Sequence, residues 1–277
     1  MKSNILRQSM SPIRSAALYF GLTLLLTWIF WWLAVLIGEP YGTPMVTLLH
    51  ALGGISPAVV AITLNYFSKD PEARRDYWRR VFDFRRIPLK GYMVIFLFAL
   101  LTSLLAVGVE WFTKGYVLPF HQAASLLAQP FNMILFALGL LVFGPVPEEL
   151  GWRGFALDKL QTGLKPLPAS LIVAFFWCAW HIPLFFIPGT YQNQLGVGTC
   201  SFWLFLLALV PDSILMTWLY NLTNRSTLSA ILFHFMTNFT GEFLALSQFA
   251  AVFRLIFSSL VALGIVLWWN TQRYRRT

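Results

Sequence analysis

Eight stretches of roughly 20 predominantly apolar residues recur along the chain, near positions 15–37, 45–67, 91–113, 130–152, 168–188, 200–220, 228–248 and 250–270. A helix of that length crosses the roughly 30 Å hydrocarbon core of a bilayer, and lipid leaves a spanning backbone few options except the helix, which satisfies its own hydrogen bonds. The fold class that follows is all-α: a polytopic transmembrane helical bundle of about eight spans. Of 277 residues, 58% are hydrophobic and 11% charged, too few polar side chains to clothe a soluble domain. No repeat, low-complexity tract or soluble domain interrupts the pattern. The first window is long for a signal peptide and lacks a small-residue cleavage site, so it reads as a retained helix.

The formal charge of +9 would suit a nucleic-acid partner if the basic residues formed one patch. They are distributed by side of the membrane instead. With the N-terminus placed in the cytoplasm, 18 of the 20 Lys and Arg residues fall in inner segments, and only Lys114 and Arg254 fall outside. The positive-inside rule then puts both termini in the cytoplasm. The partner implied is the lipid bilayer, with no nucleic acid. Residues 69–90 mix arginines with Trp78, Phe82 and Phe84, a composition suited to anionic headgroups and equally to a plain topology determinant. Cys178 and Cys200 make no disulfide framework and read as free thiols.

In so apolar a chain the informative residues are the polar ones at membrane depth, where a charged group costs roughly 2.5–3.5 kcal/mol to insert. Glu110 has Lys114 four residues later and His50 lies near a helix end, so both read as structural. The second half carries Glu148, Glu149, Arg153, His181, Asp212, His234, Asn238 and Glu242. In G144-P-V-P-E-E-L-G-W-R-G154, Pro145 and Pro147 predict a kink or a new helical segment from about Glu148, with carboxylates in its first turn where the helix dipole favours them. Glu149 and Arg153, four apart, can pair on one face while Glu148 points about 100° away toward a cavity. In W177-C-A-W-H181-I-P, Trp177 lies one turn before His181, and Cys178 is a weak candidate co-ligand for a metal. In H234-F-M-T-N238, i,i+4 spacing puts both polar side chains on one face, and Glu242 extends it.

Each motif alone has a structural explanation: a helix-end ion pair, a core histidine, interhelical hydrogen-bond glue. Together they supply a general base, a partner and an oxyanion donor, the parts needed to activate water.

The ordered set Glu-Glu-x-x-x-Arg, aromatic-x-x-x-His and His-x-x-x-Asn resembles the CPBP family of CAAX-protease and bacteriocin-processing intramembrane proteases. The likeness covers residues 130–250, including the run from Tyr220 to His234, and departs at Trp177, where phenylalanine is usual. It implies an N-terminal three-span accessory region over 1–129, a catalytic core over 130–250, and a last span with a basic cytoplasmic tail over 251–277. It further implies hydrolysis of a peptide bond in a membrane-associated protein or peptide by water that Glu148 and His181 activate. Glu149 and Arg153 would fix the glutamate segment, and His234 and Asn238 would stabilise the oxyanion. The family has been described both as glutamate protease and as metalloprotease. A divalent metal such as zinc, if used, would sit on Glu148, His181 and His234, although the H-E-x-x-H signature is absent. Two alternatives stay open: a non-catalytic scaffold or bacteriocin-immunity protein using the same cavity, and a proton-coupled transporter built on Asp212 and Glu242. The expected location is a prokaryotic plasma membrane, or the endoplasmic reticulum membrane if the source is eukaryotic.

Overall fold

A computed structural model describes residues 11–67, 70–115 and 120–274, with side chains to 271. Of the basic residues used to orient the chain, Lys2, Arg7, Lys69, Arg275 and Arg276 lie outside the described residues, as does the Arg273 side chain. The described residues fold as a helical bundle with no strand: α1 (Pro12–Ile37), α2 (Pro44–Gly54), α3 (Ser56–Phe67), α4 (Pro71–Phe82), α5 (Leu89–Lys114), α6 (His121–Ala128), α7 (Pro130–Phe143), α8 (Pro145–Gly151), a π-helical turn (Trp152–Leu157), α9 (Asp158–Leu160), α10 (Pro166–His181), a 3₁₀ turn (Ile182–Phe186), α11 (Tyr191–Leu195), α12 (Cys200–Leu222), α13 (Thr227–Phe243) and α14 (Gln248–Tyr274).

The boundaries follow local chemistry. Ser11, Asp70, Thr199 and Ser226 cap α1, α4, α12 and α13 with side-chain oxygens that accept first-turn N–H groups. Gly38 and Gly115 close α1 and α5 in the left-handed conformation.

Each of the eight apolar windows lands on helix. Among the described residues, six helical stretches are long and apolar enough to cross a membrane: α1, α5, the composite Pro130–Leu160, the composite Pro166–Phe186, α12 and Gln248–Thr271. The pair α2 and α3, bent by 42° between Gly54 and Ser56, makes a seventh if it is one span. Pro57, which offers no N–H, stands at this bend. The remaining window is α13, whose 17 residues fall at the short end of what a span requires. It carries His234 and Asn238, and its length reflects a core element packed on α5 and α8 rather than on lipid alone.

The first spans are packed into the rest. Trp180 of α10 donates to Thr27 of α1 at 2.8 Å, and Thr27 donates to the Gly53 carbonyl of α2 at 3.2 Å. Trp31 donates to the His50 carbonyl at 2.9 Å, and the His50 ring stacks on Trp31 and meets Tyr41 at a tilt, a structural role. Gly151 passes so close to α1 and α3 that a Cβ there would overlap Tyr19 Oη and lie 2.8 Å from the Pro57 carbonyl oxygen. Glu110 accepts from Ser247 at 2.7 Å, and the Lys114 ammonium stands 4.0 Å from the centre of the Phe249 ring, so both residues contact the last helix as well as their own.

Candidate active site

The span that begins at Pro130 breaks at Gly144, and α8 starts at Pro145, three residues earlier than the expected restart near Glu148. Glu148 still occupies the first turn of the new helix. α8 runs directly into the π-helical turn, in which the extra residue per turn shifts the faces that follow.

This local geometry separates the two glutamates. Glu149 is fully buried, and Arg153 Nη1 donates to both its oxygens, at 2.9 and 3.0 Å. His234 Nδ1 donates to Glu149 Oε1 at 3.0 Å. Glu149 is thus saturated by two partners. Glu148 accepts from Trp177 Nε1 at 2.6 Å through Oε2, while Oε1 has no protein partner among the described residues and is not sealed from its surroundings.

Trp177 is the centre of the arrangement. Its indole donates to Glu148, lies 4.7 Å from the Arg153 guanidinium carbon in a cation–π contact, and meets the His234 ring edge-on at 5.3 Å between centres. That contact matters to Arg153, whose Nε and Nη2 are buried without a hydrogen-bond partner among the described residues. One turn on, His181 Nδ1 donates to the Trp177 carbonyl at 2.8 Å. The ring is held further by Trp180 at 4.7 Å and Phe205 at 5.1 Å between centres. With Nδ1–H committed to a carbonyl, Nε2 of neutral His181 is a proton acceptor. α10 ends at His181 and gives way to the 3₁₀ turn at Pro183, the loosening the proline predicts.

Asn238 lies one turn beyond His234, half-buried, with its amide unbonded among the described residues. The structure therefore brings Glu148, Glu149, Arg153, His181 and His234 together around one indole, with Asn238 next along the α13 face. Glu242 is exposed at the far end of that face. Asp212 on α12 lies within electrostatic reach of Arg254, His234 and Arg153, at the margin of the site. Cys178 points elsewhere and donates to the Leu206 carbonyl at 3.4 Å. Among the described residues, no three His, Cys, Asp or Glu side chains converge closely enough to hold a metal ion, so the ligand set Glu148, His181 and His234 does not fit one as placed.

Trp177 was legible as a neighbour of His181 and as a deviation from a family motif, but not as a partner of Glu148. The signal available was its position, one turn before a membrane-depth histidine. Asp158, Arg80 and Tyr220, which brace the π-helical turn from outside, carry no such signal. Arg80 Nη1 donates to the Gly154 carbonyl at 3.0 Å and to Tyr220 Oη at 2.7 Å, and it stands 3.4 Å from Asp158.

Fold and site together define a helical membrane protein with a buried acid–imidazole centre. The pattern of the family described as Type II CAAX prenyl endopeptidase Rce1-like matches residues 129–240, the stretch that holds all six candidate residues. CAAX prenyl protease 2 of Methanococcus maripaludis is 31% identical over 254 residues, covering 91% of this chain and 93% of that protein. The chain belongs to the CAAX prenyl endopeptidase family, and it is a multi-pass membrane protease.

Proposed function

We propose that the chain hydrolyses a peptide bond of a prenylated protein or peptide at the membrane, using water activated by Glu148 with His181. The observation that carries this reading is the unequal treatment of two adjacent carboxylates. Glu149 is consumed by Arg153 and His234, whereas Glu148 is oriented by one hydrogen bond and keeps an oxygen available. An oriented carboxylate with one open oxygen in a site this dry has the attributes of a general base.

In the proposed step, Glu148 Oε1 and His181 Nε2 hold the water. Its oxygen bonds to the scissile carbonyl carbon as its proton passes to the base. The carbonyl oxygen takes up the charge, the C–N bond then breaks, and the proton is returned to the leaving amine. His234, with Nδ1–H committed to Glu149, can donate from Nε2 only as the imidazolium, with the Glu149 carboxylate as its counter-ion. It and the Asn238 amide would face the developing oxyanion. Donors preorganised in this way contribute about 2.7–4 kcal/mol each in characterised oxyanion holes.

One observation supports a prenylated substrate: the name of the relative from Methanococcus maripaludis. The archaeal relative supports a prokaryotic plasma membrane. The test is cleavage of a prenylated CAAX-box peptide by the full chain in liposomes, against the unprenylated peptide and the Glu148→Ala variant. The reading requires a product that depends on both the lipid group and Glu148. Cleavage that survives Glu148→Ala overturns it.

A further inference from the structure

The catalytic segment is braced from outside the membrane by α4. The inner face of this helix carries Tyr77, Arg80 and Val81, all buried. Tyr77 Oη donates to the Leu150 carbonyl at 3.0 Å, and Arg80 Nη1 donates to the Gly154 carbonyl at 3.0 Å. Leu150 follows Glu149 and Gly154 follows Arg153, so α4 grips the backbone immediately after each member of the buried ion pair. Any displacement of α4 is passed to that segment through two hydrogen bonds.

The outer face has a different composition. At about 100° per residue, Arg75, Arg79 and Phe82 fall within about 60° of one another, and all three are exposed. Phe82 is 72% exposed and Phe84 60% exposed, an unusual state for two phenylalanines unless something apolar covers them. Arg85 and Lys90 continue the exposed cationic surface; of the acids around it, Glu72 is exposed in the first turn of α4, half-buried Asp83 between the two phenylalanines accepts from the Arg85 N–H at 3.2 Å, and Asp76 is occupied by Arg80 at 3.0 Å and Arg86 at 3.4 Å. Guanidinium groups beside exposed aromatic rings, on a short helix between two spans, match the chemistry of a phospholipid headgroup layer that carries negative charge.

We propose that the outer face of α4 docks anionic phospholipid headgroups, and that this docking holds the Glu148–Arg153 segment in its working position. Zwitterionic lipid covers the phenylalanines and offers phosphates whose charge is already balanced by choline, so the arginines gain no net counter-charge. The rate effect rests on the hydrolytic reading above; the docking does not.

The experiment uses the full chain reconstituted in phosphatidylcholine vesicles with and without phosphatidylglycerol. Peptide cleavage is measured alongside phosphatidylglycerol retained after detergent extraction, read by native mass spectrometry. Wild type is expected to retain phosphatidylglycerol and to cleave several-fold faster in its presence, with the enhancement falling as salt screens the contact. The triple variant Arg75→Gln, Arg79→Gln, Arg85→Gln should lose both the retained lipid and the enhancement, while keeping the phosphatidylcholine rate. Tyr77→Phe should keep the lipid and lose part of the enhancement, because it cuts the link to Leu150 and leaves the Arg80 link to Gly154. Equal retention by wild type and the triple variant overturns the docking surface. Retention that depends on the arginines with no change in rate overturns the coupling. Absence of cleavage in every vesicle, with arginine-dependent retention intact, overturns the protease mechanism and leaves the docking surface standing.

Discussion

The Glu149–Arg153–His234 network and the Asp76–Arg80–Asp158–Arg225 network stand at opposite ends of one short stretch of backbone and draw on similar residue types. The first is closed: the Arg153 and Glu149 side chains have no exposed surface. The second is open along one edge, with Arg225 48% and Asp76 38% exposed at the side chain and only Arg80 deeply buried. Burial opposes the Arg80 charge, but Tyr220 and Asp158 outweigh it and hold the guanidinium above the ordinary arginine range. In the closed network every charge has a partner it cannot exchange, which keeps His234 in one orientation. In the open network the arginines share acids: Arg225 reaches Asp158 and Asp76, and Arg80 reaches both as well. Shared partners tolerate small movements. The contrast suggests a rigid chemical centre joined to a compliant brace.

Substitutions can break that contrast in graded ways. Glu148→Ala should have the largest effect on turnover, a loss of about 10²–10⁴-fold in kcat if the residue is the general base, with the thermal transition in detergent unchanged. A full rate in this variant would sever the inner network from the chemistry. Arg153→Met should act on folding as well as rate. Removing the guanidinium leaves the buried Glu149 with His234 as its one partner; breaking a buried ion pair costs up to about 3–5 kcal/mol, so the expected result is a lowered thermal midpoint together with lost cleavage. An unchanged midpoint would mean that the closed network is not what holds α8.

Trp177→Phe separates the two duties of the indole. The ring remains for Arg153 and His234, while the donor to Glu148 disappears; hydrogen bonds to charged groups contribute about 1.5–3 kcal/mol, so kcat should fall about tenfold or more with the midpoint little moved. Full turnover in Trp177→Phe would show that the 2.6 Å bond does not orient the base. Arg225→Gln, on the open network, should do least. A half-exposed pair is worth about 0–1 kcal/mol and is screened by salt, so a small, salt-sensitive drop in midpoint with unchanged turnover is expected.

Most of the helical layout was legible from the spacing of apolar runs, because lipid forces such runs into helices. The three polar motifs were legible because charge at membrane depth is costly and must have a use. The pairing of Glu149 with Arg153 follows from i,i+4 spacing, and the break near Glu148 follows from two prolines. The π-helical turn was not legible, since a shift from i→i+4 to i→i+5 bonding leaves no compositional trace. Nor was the bond from Trp177 to Glu148, because it depends on how α10 is rotated against α8 and on a side-chain torsion. Arg80 sits in a run of arginines that differ only in the direction each faces. The 17-residue α13 reads as a span in the sequence, yet the structure packs it beside α5 and α8.

The absent side chain at Gly151 has a consequence for how this protein can be divided. The helix bearing Glu148 and Glu149 touches Tyr19 and Pro57 without room for a single methyl group between them. A chain begun at Pro130 would keep every motif and lose the two surfaces against which that helix is seated. The motif-free opening segment, nearly half of the chain, is therefore the mould in which the polar residues of the site are set, and shortening it should cost the site its geometry before it costs any of those side chains.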